Sequence, residues 1–293
     1  MKAICFFDVD DTLVPFGLND IREQEKKILN QLLENGHYIF VNTGRTRSFI
    51  PNFLLNFPFS GYAAGCGTYI EINHQLKHFY EFDPNTGKEI IKDLQKYNLS
   101  AILEGHSSNA FIHETNHPVM EALRKVYKEQ NVTVSNPSDE NCRFSKFNIF
   151  PNKNGDIDTF IKKYESSLEF ISRHHNFYEV TPKDYSKVTA ITTIANDLNI
   201  PIENCYCFGD STNDLSMLQA VKHSIVMGNG DEKAKEIAKN IPDEKEKSSI
   251  SKMIKELKKV SNDKKAYKKW LSEKDPNEIE KLKSVNLQLN SEA

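Results

Sequence analysis

No stretch of this sequence approaches the roughly 18 to 20 consecutive apolar residues that a membrane helix needs. A membrane-embedded protein is therefore not expected. The N-terminus runs directly into a strand-like segment and shows no signal-peptide pattern. A strong excess of one charge is also missing. The net charge is −3, so no whole-molecule field draws the chain to nucleic acid or to a membrane surface. Cysteine is sparse, and of the five only Cys205 and Cys207 lie close together. Two apart in an apolar run, they should share one face, but that spacing is not a zinc knuckle and no His or second Cys pair completes one. Small core residues in a reducing cytoplasm are the expectation. Internal repeats and low-complexity tracts are absent. The 293 residues, 38% hydrophobic and 27% charged, suit a soluble globular protein of one large or two medium domains.

What is present is organised around Phe6-Phe7-Asp8-Val9-Asp10-Asp11-Thr12-Leu13. The preceding run, Ala3-Ile4-Cys5-Phe6-Phe7, has no polar face and reads as a strand buried on both sides. It ends in three carboxylates within four residues. Clustered carboxylates repel one another and resist burial, so packing does not account for them. A hard cation such as Mg²⁺, which prefers oxygen ligands, relieves that repulsion. Side chains repeat with period two at a strand end, so Asp8 and Asp10 should point one way and Asp11 the other. One of the first two could hold a metal and attack an electrophile while the other moves a proton.

After a Pro15-Phe16-Gly17 loop, Asn19 is a candidate helix cap. Ile21, Ile28, Leu29, Leu32 and Leu33 then share a helical face. Tyr38-Ile39-Phe40-Val41 reads as a second buried strand ending in Asn42-Thr43-Gly44-Arg45. Strand, helix and strand with short links form a βαβ unit, which implies parallel strands and a right-handed crossover. Both polar motifs then lie at carboxyl ends of parallel strands, the edge where open α/β sheets bind ligands. A helix over 47–55, perturbed by Pro51, is expected next. Gly61 to Ile72 is a glycine-rich approach to a strand, paired with 76–82 as a hairpin around Asn73-His74. Its glycines lack the dinucleotide-fingerprint spacing and are read as turns and close backbone approach.

From about Asp83 to Val180 the texture changes. Helices are predicted near 84–97, 118–129 and 156–164. Strands are predicted near 99–104, 109–113, 132–134, 144–150, 168–172 and 177–180. Strands without βαβ alternation suggest an α+β insert over 83–181 with its own, mostly antiparallel, sheet, hinged at Asp83-Pro84 and Thr181-Pro182. Tyr185-Ser186-Lys187 then leads into a helix over 188–198. Cys205-Tyr206-Cys207-Phe208 is a third buried strand, ending in Gly209-Asp210-Ser211-Thr212-Asn213-Asp214. A strand over 223–227 and a short helix over 233–240 follow. Between Lys245 and Lys269 ten lysines face Glu246, Glu256 and Asp263, which reads as the solvated side of a surface helix. The polar segment 261–293 is expected as a charged C-terminal helix or tail.

Four polar clusters thus recur at or beside the ends of buried strands: Asp8/Asp10, Thr43/Gly44, Lys187 and Asp210/Asn213/Asp214. In this order they resemble the haloacid dehalogenase (HAD) superfamily, and specifically its Cof-type phosphatases with a large C2-type cap between the second and third motifs. The resemblance implies an α/β fold, a Rossmann-like core with a parallel sheet (1–82 and 182–260) carrying the inserted α+β cap (83–181). It also implies that Asp8 is the nucleophile, Asp10 the acid/base, Thr43 the motif II hydroxyl and Lys187 the motif III lysine. Asp210 matches the motif IV metal ligand, with Asn213 and Asp214 completing Gly-Asp-x-x-Asn-Asp, and Arg45 matches a common Thr-Gly-Arg. Mg²⁺ would be bound by Asp8, the Asp10 backbone carbonyl and Asp210. Substrate phosphate would meet Thr43, Gly44, Arg45, Asn213 and backbone N–H groups around Asp10, Asp11 and Gly44. Asp214 would support Lys187.

Two positions depart from the family pattern. Asp11 stands where glycine is usual, and Val188 follows the motif III lysine where a small residue is usual. Neither removes a reacting group. Within the insert, Glu104, His106, His113, His174 and His175 are polar residues near predicted strand ends that could face a substrate. The expectation is a cytoplasmic, Mg²⁺-dependent phosphatase acting on a small phosphorylated metabolite, a sugar phosphate or a phosphorylated cofactor, with no nucleic-acid or membrane partner. A phosphomutase on the same core is the nearest rival, and a non-catalytic binding or regulatory protein is the rival from another class. A dehalogenase would lack the paired second aspartate, so Asp10 argues against it.

Overall fold

The structure, a computed structural model, describes residues 2–15, 19–113, 117–140, 142–173, 176–228 and 230–237. In chain order the elements are β1 (Ile4–Phe7), α1 (Glu23–Glu34), β2 (Tyr38–Asn42), α2 (Asn52–Leu55), β3 (Gly61–Ala64), β4 (Tyr69–Ile72), β5 (Gln75–Phe79), α3 (Pro84–Lys96), β6 (Leu99–Glu104) and β7 (Asn109–Ile112). There follow α4 (Pro118–Glu129), β8 (Val134–Ser135), β9 (Lys146–Pro151), α5 (Ile157–Tyr164), β10 (Leu168–Arg173), β11 (Phe177–Pro182), α6 (Lys187–Asp197), β12 (Cys205–Gly209), α7 (Leu215–Ala220), β13 (His223–Val226) and α8 (Glu232–Ile237). The chain forms two compact units, Met1–Phe40 with Ala195–Ala293, and Val41–Ile194. The lysine-rich stretch and the C-terminal segment of the sequence lie outside the described residues. No described helix is long and apolar enough to cross a membrane.

In the first unit, β12 pairs in parallel with β1, Ile4 opposite Cys205 and Phe7 opposite Phe208, and β13 pairs in parallel on its other side. The Tyr38 N–H donates to the Ala3 carbonyl at 2.9 Å, starting β2 beside β1. Every residue of β1 and β12 is buried, which is why both runs lack polar alternation. The Phe7 and Phe208 rings stack across the pair at 4.5 Å. Cys205 and Cys207 are fully buried thiols outside any disulfide, and burial pushes the Cys205 thiol up to about 12. Helix α1 buries Ile28, Leu29 and Leu32 as its pattern predicts. Its N-cap, however, is Arg22 rather than Asn19, with no side-chain hydrogen bond to the first turn. Arg22 pairs instead with the buried Glu25 one turn on, which anchors the helix start by charge.

In the second unit, β3, β4 and β5 form an antiparallel meander. Asn73 and His74 both adopt left-handed backbone (φ 49° and 62°), as a tight two-residue hairpin requires. The predicted helix over 47–55 is instead a 3₁₀ turn, Arg47–Phe49, followed by α2 with Pro51 at its N-cap. Proline has no N–H to continue the first turn and restricts Ile50 to extended backbone, so the segment breaks there. A separate six-stranded sheet runs in the order β10-β11-β9-β6-β7-β8, antiparallel except for the β7–β8 pair. The strand predicted over 132–134 survives only as Val134–Ser135. Asn131 is left-handed (φ 53°) and the Val132 N–H caps α4 by donating to the Tyr127 carbonyl, so these residues close a helix.

This second sheet sorts its side chains with period two. Ala101, Leu103, Phe147, Ile149 and Val180 join Ile90 and Leu94 of α3 and Phe160 and Tyr164 of α5 in one core. Ile102 and Phe150 point the other way, to Met120 and Tyr127 of α4 and to Phe49. Phe147 sits at the centre of the first cluster with no exposed surface. Phe147→Ala should therefore cost about 3–5 kcal/mol of stability in urea unfolding, far more than a substitution on the exposed β5 strand.

Candidate active site

Three carboxylates, Asp8, Asp210 and Asp214, converge in the first unit with ligand-capable atoms all within 4.8 Å of one another. All three are buried. Asp8 follows β1 and Asp210 follows β12, so the parallel pairing of those strands brings them together. The Asp8 N–H donates to the Phe208 carbonyl at 3.0 Å, extending the ladder to the site itself. The Thr12 hydroxyl donates to Asp210 Oδ1 at 2.7 Å. Asp214 is held from below: its Oδ2 accepts from the Asp210 and Ser211 N–H groups at 3.0 and 3.2 Å, closing a capping box with Ser211. Gly209 permits this, since a Cβ there would lie 2.6 Å from Asp214 Cγ. The Ser211 hydroxyl donates to Asn213 Oδ1 at 2.5 Å. Thr12 lies within the N-terminal acidic stretch, but sequence reasoning assigned it no role.

The loop after Asp8 folds back on β1. The Leu13 N–H donates to the Asp8 carbonyl at 3.3 Å and the Val14 N–H to the Val9 carbonyl at 2.9 Å. Asp10 is exposed and bridges to Val14 through backbone, so its carboxylate is not in the buried set. The Asp11 N–H donates to the Val14 carbonyl at 3.0 Å. The loop itself therefore uses this N–H. Asp11 itself is left-handed (φ 57°). Only this conformation turns the chain back within one residue, which explains why glycine suits the position and why Asp, more tolerant of it than most residues, can replace it.

Thr43, Gly44, Arg45 and Lys187 lie in the second unit. Thr43 is buried and pinned, its N–H donating to the Ala63 carbonyl at 2.9 Å and its carbonyl accepting from the Cys66 N–H at 3.1 Å. Its Oγ1 accepts from the Arg45 N–H at 3.1 Å. The Arg45 guanidinium lies 4.5 Å over the Phe49 ring and reaches the Phe49 carbonyl. Lys187 is buried at the start of α6, and its carbonyl accepts from Asn42 Nδ2 at 3.0 Å. Asn42 thus ties the strand end just before Thr43 to the helix carrying Lys187. Sequence reasoning passed over it, although a polar residue closing an apolar strand is a signal. Gly67 (φ 92°) lets the helix start approach, since a Cβ would sit 3.0 Å from the Ser186 carbonyl oxygen.

Among the insert residues singled out earlier, His106 is buried and bridges two loops. Its Nδ1 accepts from the Arg47 N–H at 3.5 Å and its Nε2 meets Thr68 Oγ1 at 3.3 Å. The tautomer with the proton on Nε2 satisfies both. Burial holds its pKa down at about 4. Glu104 is buried in an ion cluster with Lys146, and His113, just after β7, is exposed. His174 and His175 lie outside the described residues.

A model of the haloacid dehalogenase-like hydrolases matches residues 5–254. The chain belongs to this family. This HAD-type hydrolase is a phosphoric monoester hydrolase of the Cof type that acts on small phosphorylated substrates. YkrA of Bacillus subtilis (strain 168) is 24% identical over 266 residues, covering 87% of this chain and 98% of that protein. The 5-amino-6-(5-phospho-D-ribitylamino)uracil phosphatase YitU of the same bacterium is 21% identical over 260 residues, covering 85% and 95%. The solved structure of the HAD subclass IIB sugar phosphatase BT4131 shares the fold at a TM-score of 0.72 and 22% identity, covering 87% of this chain and 99% of that one. HAD phosphatases generally use Mg²⁺, and the all-oxygen donor set of Asp8, Asp210 and Asp214 fits a hard cation.

Two expected outcomes follow from this geometry. Asp11→Gly should raise stability by about 0.5–1 kcal/mol in urea unfolding, because glycine adopts the left-handed conformation without a Cβ clash. His106 is neutral when folded and titrates near 6.5 when unfolded, so its contribution is present above pH 6.5 and is lost as pH falls toward 4. Between pH 7 and pH 5 the parent protein should lose about 1–2 kcal/mol more stability than His106→Gln, read from urea midpoints at the two pH values.

Proposed function

We propose that this hydrolase releases phosphate from a phosphorylated sugar or polyol through an aspartyl-phosphate intermediate on Asp8, with Mg²⁺ as cofactor. The observation that carries the reading is the buried set of Asp8, Asp210 and Asp214, whose mutual repulsion calls for a cation. Mg²⁺ would be held by Asp8, Asp210 and the Asp10 backbone carbonyl, and when bound it supplies the positive charge that lets an anionic nucleophile meet a phosphate dianion. An Asp8 oxygen attacks phosphorus while the bond to the leaving alkoxide breaks. Asp10 donates a proton to that alkoxide and then removes one from the water that attacks the aspartyl phosphate, which restores the Asp8 carboxylate. Asp10 being exposed suits this exchange with solvent, whereas Asp8 is sheltered. Thr43, Gly44, Arg45 and Asn213 hold phosphoryl oxygens, and Lys187 offsets negative charge, supported by Asp214.

The substrate class draws on the relatives. BT4131 is named a sugar phosphatase, and the substrate in YitU's name carries a phosphorylated ribityl chain. Both point to a polyhydroxylated leaving group. Phosphorylated cofactors such as flavin mononucleotide or pyridoxal phosphate rank second.

Inorganic phosphate release is to be measured over hexose phosphates, ribityl and other polyol phosphates, flavin mononucleotide and pyridoxal phosphate. EDTA should abolish release and added Mg²⁺ should restore it. Asp8→Asn should lower kcat on the order of 10³-fold or more. Isomerisation without net phosphate release would instead assign a phosphomutase. Release that survived Asp8→Asn would remove Asp8 as the nucleophile.

A further inference from the structure

The peptide between Gly44 and Arg45 is held at both ends. Its N–H donates to Thr43 Oγ1 at 3.1 Å, and its carbonyl accepts from Lys146 Nζ at 3.0 Å. Lys146 is the first residue of β9, and its side chain is only 4% exposed. It stands directly across from Glu104 in the β6–β9 register. Its ammonium contacts Glu104 Oε2 at 3.2 Å and Glu179 Oε1 at 2.5 Å. Glu104 also accepts from the Tyr127 hydroxyl at 3.1 Å. Glu179 is gripped by Arg173 through both Nε and Nη2. Two carboxylates and two cations cancel in charge. An ammonium has three donors, and here the three acceptors are two carboxylates and one main-chain carbonyl. The carbonyl is the one member of this set that belongs to a sequence motif.

The approach is close because Gly44 has no side chain: a Cβ there would lie 3.3 Å from Glu179 Oε1 and 3.9 Å from Lys146 Nζ. Burial works against the lysine's charge, but Glu179 and then Glu104 outweigh it and hold its pKa above the ordinary value. The tie is therefore present across the working pH range.

We infer that Lys146 is a positioning residue that sets the donor direction of the Thr43 hydroxyl. Thr43 has its own N–H and carbonyl fixed by Ala63 and Cys66. What remains adjustable is the next peptide plane and the hydroxyl rotor. Lys146 fixes that plane, so the Arg45 N–H fills the acceptor side of Oγ1 and the hydroxyl proton is left to be donated. A cation on the carbonyl also polarises the peptide and strengthens its N–H at the other end. Presenting that proton to a phosphoryl oxygen is the consequence, and this step rests on the phosphatase reading above.

The test combines a spectroscopic and a kinetic readout. The background is Glu104→Gln, in which Lys146→Met leaves Glu179 paired with Arg173 and the cluster neutral. Lys146→Gln, which keeps a donor for the carbonyl without the charge, serves as the second variant if the first does not fold. In the ligand-free protein, the Arg45 amide resonance should move upfield in the Lys146 variant, toward its position in Thr43→Ala. The inhibition constant for inorganic phosphate should rise about tenfold, the scale of one charge-assisted hydrogen bond. In a Thr43→Ala background the same substitution should add less than about twofold, because residues that act through one another are not additive. An unmoved Arg45 amide, or a phosphate effect that persists undiminished without the Thr43 hydroxyl, overturns the inference. A parent protein that releases no phosphate while its Arg45 amide still answers to Lys146 would instead remove the phosphatase reading and leave the positioning role standing.

Discussion

Three buried carboxylates within 4.8 Å of one another are the constraint around which the first unit is built. Like charges at that separation cost about 3–4 kcal/mol per pair at the effective dielectric of a protein. Chain geometry alone would not keep them together. The parallel β1–β12 ladder holds the backbones of Asp8 and Asp210 in adjacent positions. The Thr12 hydroxyl and the Asp210 and Ser211 N–H groups then place positive ends of dipoles on the carboxylates. These donors satisfy individual oxygens but bring no net charge. A cation held by this set would couple metal binding to the folding of the strand ends.

The second unit treats charge differently. Its sheet separates an apolar face, packed on α3 and α5, from a face on which Glu104, Lys146, Glu179 and Arg173 form an ion cluster. Here the ions neutralise each other internally and one spare donor is spent on main chain. A buried pair of this kind adds little net stability over apolar residues of the same volume, but removing one partner is costly. Such a network is better understood as fixing geometry than as adding stability, and the geometry it fixes is that of Gly44.

Much of this was legible in the chain. The apolar runs at 3–7, 38–41 and 205–208 identify buried strands because no face is polar, and carboxylates that end such runs have no packing role to explain them. The change of texture after Asp83 marks the second sheet. Asp11 was readable as a departure, but its left-handed backbone was not, since φ at one residue depends on where Leu13 and Val14 return to β1. The Lys146 set was hidden for a related reason. Its members lie on four different strands, and cross-strand register, rather than local pattern, makes neighbours of Glu104 and Lys146. Pro51 was read as a perturbation where it is a full break, because the restriction on Ile50 adds to the missing N–H. The capping of α1 by Arg22 shows a local propensity, that of Asn19, losing to an ion pair with a buried glutamate.

Gly209 and Gly67 touch no reacting atom, yet each occupies space that a methyl group would deny to its neighbours, Asp214 in one case and the start of the Lys187 helix in the other. Around the three aspartates, and separately around the start of the Lys187 helix, the outline drawn by mutational sensitivity is therefore larger than the outline drawn by polar contacts. Residues with nothing to contribute but their smallness would score beside the aspartates. A library selected for activity would keep them invariant while allowing wide variation one position away, so invariance in this fold counts clearances as well as catalysts.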